Sequence, residues 1–210
     1  MKILDRILYT ILSFRPNNLK DGVDIAKEEW SQFGTSCRRD TPPTGFKHHV
    51  VSEYQKRYDH AVFIETGTFK GDMVNAQLHN FSKIISIELG RHLYRRACKR
   101  FAEDYNVTIL RGDSGTLLYY IMRKLNEPAI FWLDAHFAGG ITAGAKKKVP
   151  VMKELDAIFS SPFNHVILID DARGFDGTNH FPTIEDLTMY ISRVKPELSV
   201  SVKDDIIRIT

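Results

Sequence analysis

Six acidic residues stand where short apolar runs end. Glu65 closes Ala61-Val-Phe-Ile-Glu65, Glu88 closes Ile84-Ile-Ser-Ile-Glu88, and Asp134 closes Phe131-Trp-Leu-Asp134. Asp170 and Asp171 close Val166-Ile-Leu-Ile-Asp-Asp171, and Asp113 follows a further run within Arg111-Gly-Asp-Ser114. Apolar runs of this length bounded by turn residues read as buried strands. In open α/β sheets, ligands lie beyond the carboxyl ends of the strands. One acid in such a place is commonly a helix cap. A whole row repels itself unless cations or hydrogen-bond donors lie among the carboxylates, so the row points to a ligand that supplies them.

The turn Glu65-Thr-Gly-Thr-Phe-Lys-Gly-Asp72 narrows the ligand. A dinucleotide site needs GxGxxG so that backbone N–H groups and a helix N-terminus grip pyrophosphate. Here Thr-Phe-Lys separates Gly67 from Gly71, there is no GK[ST], and Glu65 would repel phosphate. A carboxylate there suits a cationic group such as an amino-acid ammonium, while Gly67 lets a ligand approach the backbone. Asp72 stands at the expected N-cap of the following helix. Glu88 lies twenty-three positions after Glu65, the interval at which a nucleoside-binding α/β unit sets a carboxylate against ribose hydroxyls. Asp113 and Ser114 are placed to contact an adenine amino group. Together these describe an amino acid joined to adenosine.

Glu-Thr-Gly-Thr-Phe-Lys-Gly, Ser-Ile-Glu-Leu, Gly-Asp-Ser, Phe-Trp-Leu-Asp-Ala-His and Ile-Leu-Ile-Asp-Asp-Ala-Arg follow in the order found in class I S-adenosylmethionine (SAM)-dependent methyltransferases, which residues 60 to 210 resemble. Phe69 replaces the middle glycine of that family's first motif, as in its metal-dependent macrocin O-methyltransferase-like branch. The resemblance implies that Glu65, Gly67, Thr68 and Gly71 hold the methionine part of SAM, Glu88 the ribose, and Asp113 with Ser114 the adenine side. It also implies a metal set of Asp134, Asp170 and Asp171, because the catechol and macrocin types carry a carboxylate after the fourth strand and an acidic pair after the fifth. Three hard oxygen donors suit Mg²⁺, which lowers the pKa of a coordinated hydroxyl. The competing account has Asp170-Asp171 capping a loop and Asp134 ordering a lid. The implied reaction is O-methylation of a small hydroxylated acceptor, a sugar or glycan precursor by the macrocin likeness alone.

His136, two residues after Asp134, is open to three readings: general base, metal ligand, or a residue holding the Asp134 loop. His180, in Asp176-Gly-Thr-Asn-His180, is a weaker candidate. Three glycines between Phe137 and Pro150 suggest a mobile lid over the acceptor. Lys146-Lys-Lys148 reads as a solvated run or a contact to an acidic acceptor, and Arg95, Arg96, Lys99 and Arg100 as a solvated helix face.

The elements that must position these residues alternate regularly. Strands are expected at Ala61–Glu65, Lys83–Glu88, Val107–Arg111, Ala129–Asp134 and His165–Asp170. Helices fit Asp72–His79, Arg91–Tyr105, Ser114–Leu125, Val149–Phe159 and Ile184–Val194, the last with Thr183 and Asp186 as a capping-box variant. A terminal hairpin, Leu198–Lys203 with Ile206–Thr210 around Asp204-Asp205, completes seven strands. The expected fold is α/β: a Rossmann-like methyltransferase fold with a mostly parallel seven-stranded sheet, a terminal antiparallel hairpin and an N-terminal helical extension.

That extension takes residues 1 to 59, and the methyltransferase domain 60 to 210. Within the extension, Ile3, Leu4, Ile7, Leu8, Ile11 and Leu12 recur at helical spacing. This amphipathic helix suits packing on the domain or a second subunit, or a membrane surface, and the extension suits a lid or dimerisation element. A second helix is expected near Val23 to Phe33, and a third through Phe46, Val50, Tyr54 and Tyr58. Lys47, His48 and His49 at its start read as a solvated end, the alternative being that they reach across the site.

A charge of +3 over 210 residues is too mild to require nucleic acid. Cys37 and Cys98 fit reduced thiols in a cytoplasmic protein. No apolar run approaches bilayer-spanning length. Two other readings stay open: a metal-independent methyltransferase of nucleic acid or protein, disfavoured by the missing Asn/Asp-Pro-Pro-aromatic motif, and a non-catalytic SAM-binding module.

Overall fold

The computed structural model describes residues 42, 44–134 and 150–210. The expected helices before residue 41, the glycine-bearing lid and Lys146-Lys-Lys148 lie outside them. Among the described residues, a helix α1 (Thr44–Tyr58) leads into β1 (Val62–Thr66), α2 (Asp72–Gln77), β2 (Lys83–Glu88), α3 (Arg91–Arg100), β3 (Val107–Arg111), α4 (Ser114–Met122) and β4 (Ala129–Leu133). Then follow α5 (Val151–Phe159), β5 (Val166–Ile169), a 3₁₀ turn (Ala172–Gly174), α6 (Ile184–Val194), β6 (Val200–Lys203) and β7 (Ile206–Ile209). No helix among the described residues is long and apolar enough to cross a membrane.

The seven strands form one sheet in the order β3-β2-β1-β4-β5-β7-β6. The first five pair in parallel, and β7 runs antiparallel to both β5 and β6. The continuous burial of β1, β2, β4 and β5 follows from helices on both faces. Side chains alternate across the sheet. Ile64, Ile85, Phe131 and Ile167 pack with Leu118 and Ile121 of α4, Leu155 and Ile158 of α5, and Leu187 and Ile191 of α6. Phe63, Ile84, Ile130 and Leu168 pack on the other face with Val50 and Val51 of α1, Met73 and Val74 of α2, and Ala97 of α3. Helix α1 is therefore part of the body of the fold rather than a free leader to it.

Local chemistry accounts for the boundaries. Thr183 accepts from the Asp186 N–H while Asp186 accepts from the Thr183 N–H, closing the capping box that starts α6. Asp204 and Asp205 both hold positive φ, 51° and 59°, the geometry of a tight primed turn between β6 and β7. Helix α3 stops at Arg100, short of the expected Tyr105, because Phe101 leaves helical geometry and buries its ring against α2.

One local expectation is corrected. Asp72 is not an N-cap: Gly71 takes that position in left-handed backbone (φ 80°), and Asp72 is the first helical residue, paired with Arg100 at 2.7 Å. Arg100 also donates to the Lys70 carbonyl at 2.6 Å, so this member of the basic face fixes the end of the first turn instead of only facing solvent. Gly71 is required twice, by its φ and by the Phe101 ring, whose Cε2 would lie 2.6 Å from an added Cβ. Gly71→Ala is expected to cost roughly 2–4 kcal/mol, from left-handed strain plus overlap. A urea midpoint indistinguishable from the parent's would show that neither constraint acts.

Candidate active site

Strands β1 and β4 are neighbours, but their following helices, α2 and α5, cover opposite faces. A crevice opens at such a switch point. Pairing continues one residue beyond the strands: Asp134 N–H donates to the Thr66 carbonyl (3.2 Å) and Asp170 N–H to the Leu133 carbonyl (3.0 Å). The ends of β1, β4 and β5 are thus laid side by side, and their acids with them.

The first turn crosses this edge. Gly67 (φ 87°) passes so close to Asp134 that an added Cβ would lie 3.3 Å from the Asp134 Cβ. The N–H groups of Gly67 and Thr68 donate to the Ile87 carbonyl (2.9 and 3.3 Å), Gly71 N–H to the Thr68 carbonyl (2.7 Å), and Phe69 N–H to a Glu88 oxygen (2.9 Å). An anion-binding turn must keep such donors available. Here they are occupied by the protein, which agrees with the exclusion of phosphate made from the glycine spacing.

Glu65 is buried beneath the turn opposite Ser86. Ser86 Oγ makes a short hydrogen bond to the carboxyl and also meets Thr68 Oγ1 at 2.6 Å, so Thr68 stabilises the site through Ser86. Burial pushes the Glu65 carboxyl up to about 8, against the opposing effect of Ser86 and with added repulsion from Asp134, Glu88 and Asp72. In the ligand-free protein Glu65 is consequently protonated at neutral pH, and an arriving cation favours its ionisation.

Glu88, on the next strand, accepts Phe69 N–H on one oxygen and Gly90 N–H (2.7 Å) on the other. It therefore holds the first turn as well as facing the crevice, and each oxygen retains acceptor capacity. Leu89 and Phe69 expose their side chains beside it. Asp113 is the N-cap of α4, accepting Thr116 N–H (3.0 Å) and Thr116 Oγ1–H (2.7 Å) through one oxygen. Ser114 begins that helix.

Glu154, which nothing in the sequence singles out, is a further acid beside this group. It lies on α5 and is almost wholly buried, and neither carboxyl oxygen closes a hydrogen bond. Thr66 Oγ1 is buried and unpartnered as well. Burial raises Glu154 to about 7; the Ser114 and Thr66 hydroxyls favour its charged form from nearby without closing a hydrogen bond, while Asp113 and Asp134 oppose it. Its place on the apolar stripe of α5, with Val151, Leu155 and Ile158, turns it inward.

Asp134, Asp170 and Asp171 converge, offering one oxygen each within 4.8 Å of one another. Asp171 holds positive φ (55°), and its N–H donates to Asp170 Oδ1 (2.8 Å). Lys47, expected at a solvated helix end, instead reaches across the site: its Nζ straddles the Asp170 carboxylate at 2.6 and 2.7 Å and lies 3.5 Å from Asp171. Arg173 pairs with Asp171 (2.8 Å) and with Asp205. His48 and His49 do not follow Lys47; His49 lies 3.8 Å from Glu53, and burial lowers the His48 pKa. His180 sits exposed on the loop bridged by Asp176 and Thr183. His136 lies outside the described residues.

No protein-family model and no curated protein sequence matches the chain. Solved structures do. An O-methyltransferase from Bacillus cereus, in complex with SAH, is 16% identical, with 98% of this chain and 95% of that one aligned at a TM-score of 0.55. The SAH-bound methyltransferase PaMTH1 from Podospora anserina is 15% identical over 98% and 93%, also at 0.55. An rRNA methylase from Streptococcus thermophilus is 10% identical over 81% and 96%, at 0.51. At these identities the likeness establishes the Rossmann-like methyltransferase fold, whose members named here differ in what they methylate.

The Glu65 shift has a measurable sign. Its carboxyl is protonated in the fold up to about pH 8 but ionises near 4.5 when unfolded. The folded state thus binds the extra proton between those values, and Glu65 makes stability fall as pH rises through that window. Glu65→Gln has no such titration. Its stability relative to the parent should climb on the order of 3 kcal/mol from pH 5 to pH 8. Parallel pH profiles of the two denaturation midpoints would refute the assignment.

Proposed function

We propose that this chain is a SAM-dependent O-methyltransferase, nearest to the metal-dependent macrocin-like branch, acting in the cytoplasm on a small hydroxylated acceptor such as a sugar or glycan precursor. The observation that carries this reading is the pairing, on one sheet edge, of a cation-seeking buried acid (Glu65) and a nucleoside-spaced acid (Glu88) with a separate three-carboxylate cluster beyond β4 and β5.

In this reading Glu65, beneath Gly67, Thr68 and Gly71, receives the methionine ammonium and gives up its proton as it does so. Glu88 accepts from the ribose hydroxyls through the lone pairs its two backbone contacts leave, while Asp113 and Ser114 border the adenine. Asp134, Asp170 and Asp171 fit Mg²⁺: they are hard oxygen donors at compatible separations, and a cationic ammonium already stands among them. Bound there, Mg²⁺ would bind vicinal acceptor oxygens and lower the hydroxyl pKa. The methyl group passes from the sulfonium to the acceptor oxygen, and the S–CH₃ bonding pair stays on sulfur. The acceptor proton goes to a nearby base, for which Asp134 and His136 are proposed. Positioning supplies much of the rate in such a transfer. Residues 1–59 are proposed to cover the site or to mediate self-association, with membrane-surface contact by the first helix as the other role open to them.

Two measurements test this. Calorimetry should detect SAM binding that Glu88→Ala abolishes; a parent protein that binds no SAM would remove the whole reading. On an accepted substrate, EDTA should halt turnover and Asp170→Ala should lower it by about 10²-fold or more. Full activity after exhaustive chelation would eliminate the metal role while leaving the methyltransferase standing.

A further inference from the structure

Lys47 enters the acid cluster from a helix that precedes the whole sheet, 123 residues away from Asp170 in sequence. Its side chain is largely buried there, as is that of Asp170. It sits in the first turn of α1, which carries no acidic residue. A cation in the first turn opposes the helix dipole, so this placement is unfavourable unless something nearby compensates. Asp170 and Asp171 do. Among the described residues, four carboxylates (Asp134, Asp170, Asp171 and Asp205) gather here with two cations, Lys47 and Arg173. The two cations are not equivalent. Arg173 is shared with Asp205 and half exposed at the margin of the cluster, whereas Lys47 Nζ bridges both oxygens of Asp170.

We propose that Lys47 and a divalent cation are competing occupants of the Asp134–Asp170–Asp171 site, so that Lys47 sets the affinity and charge selectivity of that site. The proposal rests on the metal reading of these carboxylates given above. A divalent ion bonded to an Asp170 oxygen would stand beside the ammonium that both oxygens hold at 2.6 and 2.7 Å, and the two cations would repel each other at this largely buried site. Metal entry must therefore displace Nζ, and the lysine's flexible stem allows it to swing away without unfolding α1. Displacement exchanges one positive charge for two beside three converging carboxylates. A monovalent ion, which only replaces one positive charge with another, gains too little to expel the lysine, which makes Lys47 a filter for divalent over monovalent cations.

The test is titration of the full chain with MgCl₂ and, separately, MnCl₂, followed by calorimetry and by thermal unfolding, in the parent and in Lys47→Gln, Lys47→Arg and Asp170→Asn. Lys47→Gln should bind either metal at least about tenfold more tightly than the parent. Without metal it should melt lower than the parent, because Asp170 and Asp171 lose their compensating charge, and its melting temperature should rise more on adding Mg²⁺. Lys47→Arg, which keeps the charge, should remain near the parent, and Asp170→Asn should abolish binding. Equal metal affinity in the parent and Lys47→Gln, both lost in Asp170→Asn, would overturn the competition while leaving the metal site intact. Absence of Mg²⁺ and Mn²⁺ binding in both would overturn the competition together with the metal reading. SAM binding, measured alongside, reports on the methyl-donor site independently of either result.

Discussion

Parallel pairing that runs one residue past the ends of β4 and β5 is the constraint from which the site follows. The bonds from Asp134 N–H to the Thr66 carbonyl and from Asp170 N–H to the Leu133 carbonyl hold successive carboxylates on one edge. Like charges at that spacing raise one another's energy unless each is compensated. The fold compensates each differently. Glu65 keeps its proton, Glu88 accepts two backbone N–H groups, and Asp170 and Asp171 are held by Lys47, Arg173 and the Asp171 N–H. Glu154, with no hydrogen bond to either oxygen, has its pKa raised by burial.

The first turn depends on the same edge. Because Glu88 accepts Phe69 N–H, the turn is drawn toward β2 and Phe69 is held in left-handed backbone with its ring outward. Gly67 can then pass over Asp134, and Gly71 can pass under Phe101. The two glycines thus answer packing demands first. The close approach that a ligand would exploit is a consequence of a turn already folded against its neighbours, with its N–H groups engaged. A strand-to-helix turn built this way favours a ligand recognised through carboxylates over one recognised through backbone donors.

Much of this was legible in the chain because the relevant signals are local. Strands such as Lys83–Glu88 and Val107–Arg111 announce themselves by composition, and α6 by Thr183 and Asp186. The convergence of Asp134 with Asp170 and Asp171 followed from one rule about strand ends and the likeness to metal-dependent methyltransferases. For Lys47 the sequence leaves a solvated helix end and a reach across the site both open, because nothing in Phe46-Lys-His-His49 encodes a partner more than a hundred residues away; only the packing of Val50 and Val51 on the sheet fixes where the start of α1 points and selects the second. Asp72 looked like a cap because its type is right, but Gly71 takes the cap position and the carboxylate turns to Arg100. Glu154 carries no such signal, because a lone acid in a helix ordinarily faces solvent, whereas this one is buried.

The compensators explain how one edge can hold so many carboxylates and, on the proposed reading, still accept charged ligands. Two of the internal compensators, the Glu65 proton and the Lys47 ammonium, are of a kind that a ligand can replace. On the proposed reading, the proton on Glu65 gives way to an ammonium, the spare lone pairs of Glu88 receive hydroxyls, and the Lys47 ammonium gives way to a divalent cation. Binding on this scheme is exchange within an already balanced set of charges, so it avoids creating a buried unpaired carboxylate at any stage, which would otherwise cost several kcal/mol. The cost is transferred to the free state, where Glu65 stays neutral against its solution preference and Lys47 occupies the unfavourable end of its helix. A stable methyltransferase fold tolerates both because the strands beneath them are sealed on two faces by hydrophobic packing that does not depend on the site.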